Sequence, residues 1–193
     1  MKKNHLILLI IILFSSCSKD ALDRTVFIPD EKDHNLPAYT EWGYNTFGAE
    51  YERDYFLVSN MIVPCKILYK DEQLQFSLNG TIRNDKEMTL LFIFPFPQAH
   101  DYKDLLQLHK MEIDLLAQDC IVKILQDNNE TILDIIEGKL HFKRAQLLSI
   151  DDQENRVILS GTFELCYLKN AFPSYISNGR FDLGITKNLF YAY

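Results

Sequence analysis

Signatures of enzymatic chemistry are missing from this chain. It holds no G-x-S-x-G elbow, no H-E-x-x-H motif and no glycine-rich loop that could cradle a phosphate. Its five histidines are scattered, so the sequence pairs none of them with a nucleophile. Two carboxylates could be chosen almost anywhere among the 27 acidic residues, which gives glycoside hydrolysis no specific support. The sequence therefore favours a protein that is not an enzyme and predicts no cofactor.

Basic residues are also in short supply. Lysine and arginine together number 20 against 27 acidic residues, so the formal net charge is -7. Nucleic-acid binding draws most of its affinity from a clustered basic face, and nucleic acid is therefore excluded as a partner. Electrostatic attraction to an anionic membrane is disfavoured on the same ground. The excess of negative charge predicts a domain that stays soluble beside a membrane.

Paired cysteines are absent as well. None of the four cysteines stands in a C-x-x-C pair, and Cys65, Cys120 and Cys166 are each flanked by apolar residues. Beyond Cys17, which has its own role, at most one intramolecular disulfide can form. We interpret the three mainly as small buried hydrophobes, with one disulfide as the alternative. Neither they nor the acidic cluster 151–155 has the ligand spacing of a zinc or calcium site, so no metal is predicted and the cluster is interpreted as a hairpin tip.

What the chain does have is a marked N-terminus. Lys2 and Lys3 precede an apolar run at residues 6–14, and two serines then lead into Cys17. The apolar run is too short to cross a bilayer as a permanent helix. This is the layout of a bacterial lipoprotein signal peptide. It predicts a signal peptide at 1–16 and lipid attachment at Cys17, and its removal leaves a charge of about -9.

Two further regions follow the signal peptide. Residues 17–37 are acidic, contain two prolines and lack periodicity, which predicts a lipidated tether whose Val26-Phe27-Ile28 could dock onto the domain. The remainder, 38–193, is long enough for one domain with its own core. No repeat or low-complexity tract interrupts it.

Alternation of apolar and polar residues dominates this domain and predicts β-strands. Leu74, Phe76 and Leu78 would share one face of a strand, for example, while segment 88–96 is apolar on both faces and predicts a central strand. Only 102–109 predicts a short helix. The fold class is therefore all-β, mainly antiparallel: a β-sandwich or partly closed barrel of roughly ten strands. The predicted strands lie within 46–58, 66–69, 73–78, 88–96, 120–125, 131–136, 138–150, 156–167 and 180–185.

Turn residues punctuate these strands. Asn79-Gly80 predicts either a tight turn or a bulge within a longer strand, and Ser177-Asn178-Gly179 predicts a tight turn. Between 46 and 58, Glu52-Arg53 suits a type I′ turn poorly because both central residues would need positive φ. A longer loop through Asp54 is therefore expected.

Aromatic residues are dense between 39 and 56. Rings with polar tips on the rim of a sheet could form a platform for a sugar or a protein, while the plainer interpretation is that most of them fill the core. Trp42 and Tyr44, beside Gly43, are the predicted ligand-binding residues because they precede the first strong strand.

Three short motifs indicate the same resemblance: 45–49 (NTFGA), 159–165 (LSGTFEL) and 176–182 (ISNGRFD). Together with the start Cys17-Ser18-Lys19-Asp20, they resemble small bacteroidete-type lipoproteins of unknown function. The resemblance implies a cell-envelope location and a β fold, and no activity. Ser18 after the lipidated cysteine favours delivery to the outer membrane. Lys19-Asp20 looks like a shortened surface-export signal, so periplasmic and surface orientations both stay open.

The sequence thus supports three hypotheses in descending order. The first is a lipid-anchored, non-enzymatic envelope domain at the outer membrane that binds a glycan or a protein partner. The second is a carrier of an apolar ligand inside a barrel, suggested by segment 88–96. The third is an envelope hydrolase, which only unspecific carboxylates support.

Overall fold

The structure, a computed structural model, describes residues 24–59, 63–150 and 153–193. Cys17 with the predicted signal peptide, and Asp151-Asp152 of the acidic cluster, lie outside the described residues. The described part is mostly antiparallel β-sheet, and its strands form a curled half-barrel. This confirms the predicted all-β antiparallel class.

Twelve strands make up the sheet. Ten of them lie side by side in the order β6-β9-β10-β11-β1-β2-β4-β5-β7-β8, while β3 pairs with β4 and the last strand, β12, pairs with β3 in parallel. The strands are β1 (Thr46–Tyr51), β2 (Asp54–Val58), β3 (Cys65–Lys70), β4 (Gln73–Ile82), β5 (Lys86–Pro95), β6 (Met111–Asp114), β7 (Ile121–Gln126), β8 (Asn129–Ile132), β9 (Asp134–Ile150), β10 (Gln153–Lys169), β11 (Phe172–Ile185) and β12 (Phe190–Ala192).

The sheet curls because its longest strands are interrupted by bulges. The pairing of β10 with β9 shifts at three points, and its pairing with β11 shifts between Phe163 and Leu165. Each bulge bends its strand and increases the local twist. The curvature brings β4 and β5 opposite β9, β10 and β11, and the space between them becomes the core.

Phenylalanine rings fill this core. The ring of Phe76 on β4 lies 5.4 Å from that of Phe142 on β9 and 5.2 Å from that of Phe181 on β11. Phe92 on β5 meets Phe163 on β10 at 5.6 Å, edge to face. All five rings are buried, and each contributes about 2–3 kcal/mol relative to an exposed ring. The interior is therefore packed with side chains.

The predicted helix at 102–109 is present as a 3-10 helix, Tyr102–Leu108. The carboxylate of Asp101 caps its first turn, and Asp104 accepts from the backbone N–H of Asp101 at 3.0 Å in return. Leu105 and Leu108 are buried, and the helix packs against β9 and β10. Within the described residues, no helix is long and apolar enough to cross a membrane.

Some turn predictions are wrong. Ser177–Gly179 is a bulge within β11, where the pairing with β1 shifts between Gly48 and Glu50, and the chain does not reverse there. The reversal comes earlier, at Asn170-Ala171, with φ of 52° and 67°. The sequence did not signal it, because alanine is an unusual residue at positive φ.

Other differences are smaller. Tyr51 pairs with Asp54, so Glu52-Arg53 is a two-residue turn and the expected longer loop is absent; Glu52 adopts a φ of 57°. Asn79-Gly80 lies inside the continuous β4, so the longer strand is present, but its unbroken pairing with β5 shows neither the tight turn nor the bulge. Segment 131–136 is divided between β8 and β9, and the edge strand β6 was missed.

The three cysteines within the described residues are all free. Cys65 and Cys166 are buried and Cys120 is half-buried. Burial raises the pKa of the Cys65 thiol. Cys65 and Cys166 therefore behave as the small buried hydrophobes predicted from their apolar neighbours.

Glycine makes room for the rings at one place in particular. Gly161 on β10 pairs with both Phe142 on β9 and Phe181 on β11. A Cβ atom at this position would lie 2.5 Å from the Phe181 ring and 2.1 Å from the carbonyl oxygen of His141. No side chain fits there, because one of the obstacles is backbone that cannot rotate away.

We therefore expect Gly161→Ala to lower the free energy of unfolding by about 2–3 kcal/mol through overpacking. Urea denaturation followed by circular dichroism measures the change. Thr131→Ala, on the exposed strand β8, is the matched control and should change stability little. Equal stability of the two variants would show that the core tolerates a methyl group here.

Candidate functional site

Residues 24–44, here called the strap, cross the outer face of β11 and β1. The strap folds back on itself, since the N–H of Ala38 donates to the carbonyl of Ile28 at 2.6 Å. Its start is tied to its end, where the N–H of Val26 donates to the carbonyl of Tyr44 at 2.9 Å. Leu36, a residue of the strap, is fully buried. Part of the segment predicted as a tether therefore packs on the domain.

Two residues of the sheet, Gly48 and Arg180, contact the middle of the strap. Gly48 on β1 leaves space for the Pro37 ring, because a Cβ there would lie 2.4 Å from Pro37 Cδ. Arg180, directly opposite Gly48 on β11, donates to the carboxylate of Asp30 at 2.8 Å and to the Pro37 carbonyl at 3.4 Å. A missing side chain and a charged hydrogen bond thus fix the strap at the same row of the sheet.

The end of the strap is held by one buried carboxylate, that of Asp182 on β11. Asp182 is 1% exposed, and an ionised group at that depth is stable only if hydrogen bonds replace its water. Its two oxygens accept from Thr40 Oγ1 (2.5 Å), Trp42 N (3.0 Å), Gly43 N (2.7 Å), Tyr44 N (3.3 Å) and Ser160 Oγ (3.1 Å).

The backbone at 42–44 is shaped for this contact. Three consecutive N–H groups converge on one carboxylate only when the chain forms a concave nest. Gly43 supplies the left-handed conformation with a φ of 75°. Asn45, with a φ of 55°, continues the turn, and its side-chain oxygen accepts from the N–H of Gly184 at 2.9 Å. The loop is therefore prearranged by local sequence and locked by β11.

The three sequence motifs meet at this point. Segments 45–49, 159–165 and 176–182 lie on β1, β10 and β11, which are neighbours in the sheet. Asp182 pairs with Thr46 on one side and with Ser160 on the other. The motifs thus supply the carboxylate, one of its donors and the strand that the strap enters.

The structure separates the two predicted ligand-binding residues by exposure. The side chain of Trp42 is 70% exposed, whereas that of Tyr44 is half-buried. Phe47, Tyr51 and Phe56 of the same aromatic segment are buried in the core. Three of the seven aromatic residues of the segment therefore fill the core, three tyrosines are half-buried, and Trp42 is the most exposed.

Beside the strap lies a polar depression of about 520 Å³, here called the outer-face cleft. It is formed by the outward side chains of four adjacent strands together with one aromatic residue of the strap. The polar residues that line it are Tyr39 of the strap, Glu112 of β6, Lys139, His141 and Lys143 of β9, Thr162 and Glu164 of β10, and Asn178 and Arg180 of β11.

Charges in the cleft are unevenly neutralised. Lys139 Nζ lies 2.7 Å from Glu112, and this hydrogen bond lowers the pKa of Glu112 and raises that of Lys139. Arg180 is engaged by the strap. Lys143 forms no ion pair with any described residue, and its ammonium lies 4.8 Å from the centre of the Tyr39 ring. Lys143 is therefore the cation most available to a ligand.

Tyr39 is held in place by a chain of contacts to β9. Its hydroxyl donates to Glu41 Oε1 at 2.9 Å, and burial raises the pKa of this hydroxyl. The other oxygen of Glu41 accepts from Arg144 at 2.9 Å. Gln146 donates to the Glu41 carbonyl at 3.3 Å. The ring is thus positioned by strap and sheet together.

Trp42 and Tyr44 do not line the cleft; the aromatic residue that does is Tyr39, three positions before Trp42. The sequence contained Tyr39 within the aromatic segment but gave no reason to prefer it. Its placement depends on the Asp182 contacts, which join residues about 140 positions apart. Alternation of Lys139, His141 and Lys143 along one strand was the signal that could have revealed the cleft.

The cleft can bind a polar, negatively charged ligand. Lys143 can donate to an anion, the carboxylates can accept from hydroxyl groups, and the Tyr39 ring offers an apolar face. No group of three or more side chains suited to a metal ion occurs in the described part of the chain. Comparison of the chain with known protein families, curated proteins and solved structures gives no match.

Asp182→Asn should lower the free energy of unfolding by about 3 kcal/mol, because an amide nitrogen would then face N–H and O–H donors in a buried site. Urea denaturation gives the value, and hydrogen exchange of residues 40–44 should become faster. Asp71→Asn at an exposed turn is the control and should leave both unchanged. Unaltered exchange in Asp182→Asn would refute the assigned anchoring role.

Acid should also loosen the strap. Hydrogen bonds from the backbone N–H groups of Lys32 and Asp33, together with Arg180, hold the pKa of Asp30 below its usual value of 3.8. Because the pKa is lower in the folded than in the unfolded state, ionised Asp30 stabilises the fold fully at pH values above its usual pKa of 3.8. This stabilisation is lost as the pH falls through the lowered pKa of the folded state.

The difference in urea midpoint between the wild type and Asp30→Asn should therefore be largest near neutral pH and close in acid. Glu31→Gln removes a neighbouring carboxylate that makes none of these contacts and is the matched control. A difference that stays constant from neutral pH into acid would contradict the assignment.

Proposed function

We propose that this protein is a lipid-anchored cell-envelope domain, without enzymatic activity, that binds an acidic glycan in the outer-face cleft. The observation that carries the proposal is the placement of the Tyr39 ring against the ammonium of Lys143, which forms no ion pair within the described part of the chain, above a row of polar side chains. A sugar ring can stack on the tyrosine while its carboxylate meets the lysine.

The anchor follows from the N-terminal sequence. Lipid on Cys17 would tether the domain to the outer membrane, after removal of residues 1–16, with the cleft facing either the periplasm or the cell surface. Because the chain carries a net charge of -7, only local positive charge can attract an acidic ligand, and the cleft gathers three cations and two carboxylates on one face. Lys139 and Arg180 are paired with Glu112 and Asp30, so Lys143 is the cation that would attract an acidic ligand.

Recognition would use both signs of charge. The carboxylate of a uronic acid would accept from Lys143, while sugar hydroxyls would donate to Glu164 and bond with Asn178 at the other side of the cleft. The Lys139–Glu112 pair would keep one acceptor and one donor at fixed positions. A neutral sugar would lose the interaction with Lys143 and bind more weakly.

The carrier hypothesis finds less support. Its basis was segment 88–96 with two apolar faces, and Phe92 and Phe94 of that segment are fully buried against other rings. These side chains occupy the interior themselves. We therefore do not propose an apolar ligand there.

Binding of uronic-acid oligosaccharides, compared with neutral oligosaccharides of equal length, tests the proposal by isothermal calorimetry. Lys143→Gln should weaken binding of the acidic oligosaccharide by about tenfold, and added salt should weaken binding to the wild type. Tyr39→Ala should weaken both acidic and neutral sugars, because it removes the stacking face.

A matched control exists at another edge of the sheet. Lys66 lies 4.5 Å above the ring of Tyr191, the same type of pair outside the cleft. Lys66→Gln and Tyr191→Ala should leave binding unchanged. Equal losses in Lys143→Gln and Lys66→Gln would rule out the cleft as the site.

The ligand-binding role predicted for Trp42 and Tyr44 is tested in the same assay. Loss of binding in Trp42→Ala or Tyr44→Ala, with normal binding in Tyr39→Ala, would move the site to the loop. Capture of an envelope protein in place of any glycan, sensitive to Lys143→Gln, would identify a protein ligand for the same cleft.

A further inference from the structure

An exposed apolar cluster lies at the start of the strap. Val26, Phe27 and Ile28 are each about 40% exposed, and Trp42 is 70% exposed. The hydrogen bond from Val26 to Tyr44 places this three-residue segment beside the loop that carries Trp42. We call these four residues the strap patch. They take no part in the core or in the outer-face cleft.

The patch is close in sequence to the predicted lipid. Nine residue steps separate Cys17 from Val26, which even in a fully extended chain span only about 30 Å. Acyl chains attached to Cys17 would therefore keep the strap patch within about 30 Å of the membrane surface, close enough to reach it. This step rests on the lipid anchor of the proposed function.

The side chains of the patch suit the boundary between lipid headgroups and acyl chains. Tryptophan favours this region because its indole is apolar yet carries an N–H group, and phenylalanine, isoleucine and valine add apolar area. The loop of Trp42 is locked by Asp182, so little conformational freedom is lost when it inserts. The patch is thus presented by a preorganised surface.

Neighbouring charges indicate the type of lipid. Glu31 and Asp33 follow the patch closely and Glu41 precedes Trp42, while Arg24 and Lys32 are the nearest basic residues, so the charges around the patch nearly balance. Although Arg180 and Arg144 neutralise Asp30 and Glu41, the surroundings of the patch are not basic. A zwitterionic phospholipid surface would accept this patch better than an anionic one.

We infer that the strap patch is a membrane-contact surface that inserts into the interface of a zwitterionic phospholipid bilayer and orients the lipid-anchored domain. Its insertion would set the strap side of the half-barrel against the membrane. The outer-face cleft, which shares Tyr39 with the strap, would then open beside the membrane surface.

Trp42 provides a direct test because it is the only tryptophan in the chain. The full-length precursor is produced in a bacterial host, the lipid on Cys17 is verified by mass spectrometry, and the protein is reconstituted into phosphatidylethanolamine–phosphatidylcholine vesicles. Trp42 emission should shift to shorter wavelength, and vesicles with brominated acyl chains should quench it by about half.

A matched probe reports from the far end of the sheet. Phe172 is 73% exposed at the β10–β11 turn, about 30 Å along β11 from Asp182. The double variant Trp42→Phe/Phe172→Trp should keep the emission and quenching of a tryptophan in water. Phe27→Ser, with Trp42 in place, should reduce quenching by brominated lipid while circular dichroism remains that of the wild type.

The outcomes separate the anchor from the patch. Protein that sediments with the vesicles but shows equal quenching at positions 42 and 172 has a working anchor and no membrane-contact patch, which overturns this inference alone. A blue shift without bromine quenching indicates contact with protein and also overturns it. Protein that lacks the lipid and fails to sediment refutes the anchor and, with it, this inference.

Discussion

The buried carboxylate of Asp182 makes the hydrogen bonds on which the position of the strap depends. It lies on the outer side of β11, where the alternation of the strand would otherwise expose it to water, and the strap covers it. Because it accepts three successive backbone N–H groups, it fixes the path of residues 42–44 without relying on their side chains. Trp42 is therefore free to face outward, and Tyr39, a few residues earlier, is brought over β9. One buried charge thus positions both proposed contact surfaces.

The inner side of the same strands is held together by close packing and not by hydrogen bonds to a buried charge. There, rings and glycines from neighbouring strands fit together, with Phe181 lying over Gly161 and Phe163 over Gly179. Close packing of this kind tolerates few changes in volume, and it gives the half-barrel a solid interior. The two sides of β11 therefore have different roles. Phe181 and its inward neighbours stabilise the sheet, while the outward Arg180 and Asp182 bind the strap.

Alternation in the sequence was sufficient to predict the class and most strands, since each of these signals is local. Prediction from sequence was less reliable where the same residues suit two backbone structures, a turn and a bulge. Asn178-Gly179 looks like a turn, but a bulge also accepts a residue with positive φ, and the long pairing of β10 with β11 decides between them. The candidate site was harder still. Asp182 and residues 40–44 each look ordinary alone, and only the strand register Thr46–Asp182 brings them together. Nothing in the local sequence therefore indicated that Tyr39, and not Trp42, lines the cleft.

The ten strands that lie side by side end in β6 and β8, and both of these have only four residues. Each carries acidic side chains: Glu112 and Asp114 on β6, and Glu130 on β8. Short, charged edge strands offer a poor template for the backbone of another chain. With the proposed lipid anchor, molecules side by side on a membrane would meet at high local concentration, where edge-to-edge sheet growth would be a hazard. The brevity and charge of β6 and β8 are thus what allow such a sheet to remain open and still resist aggregation.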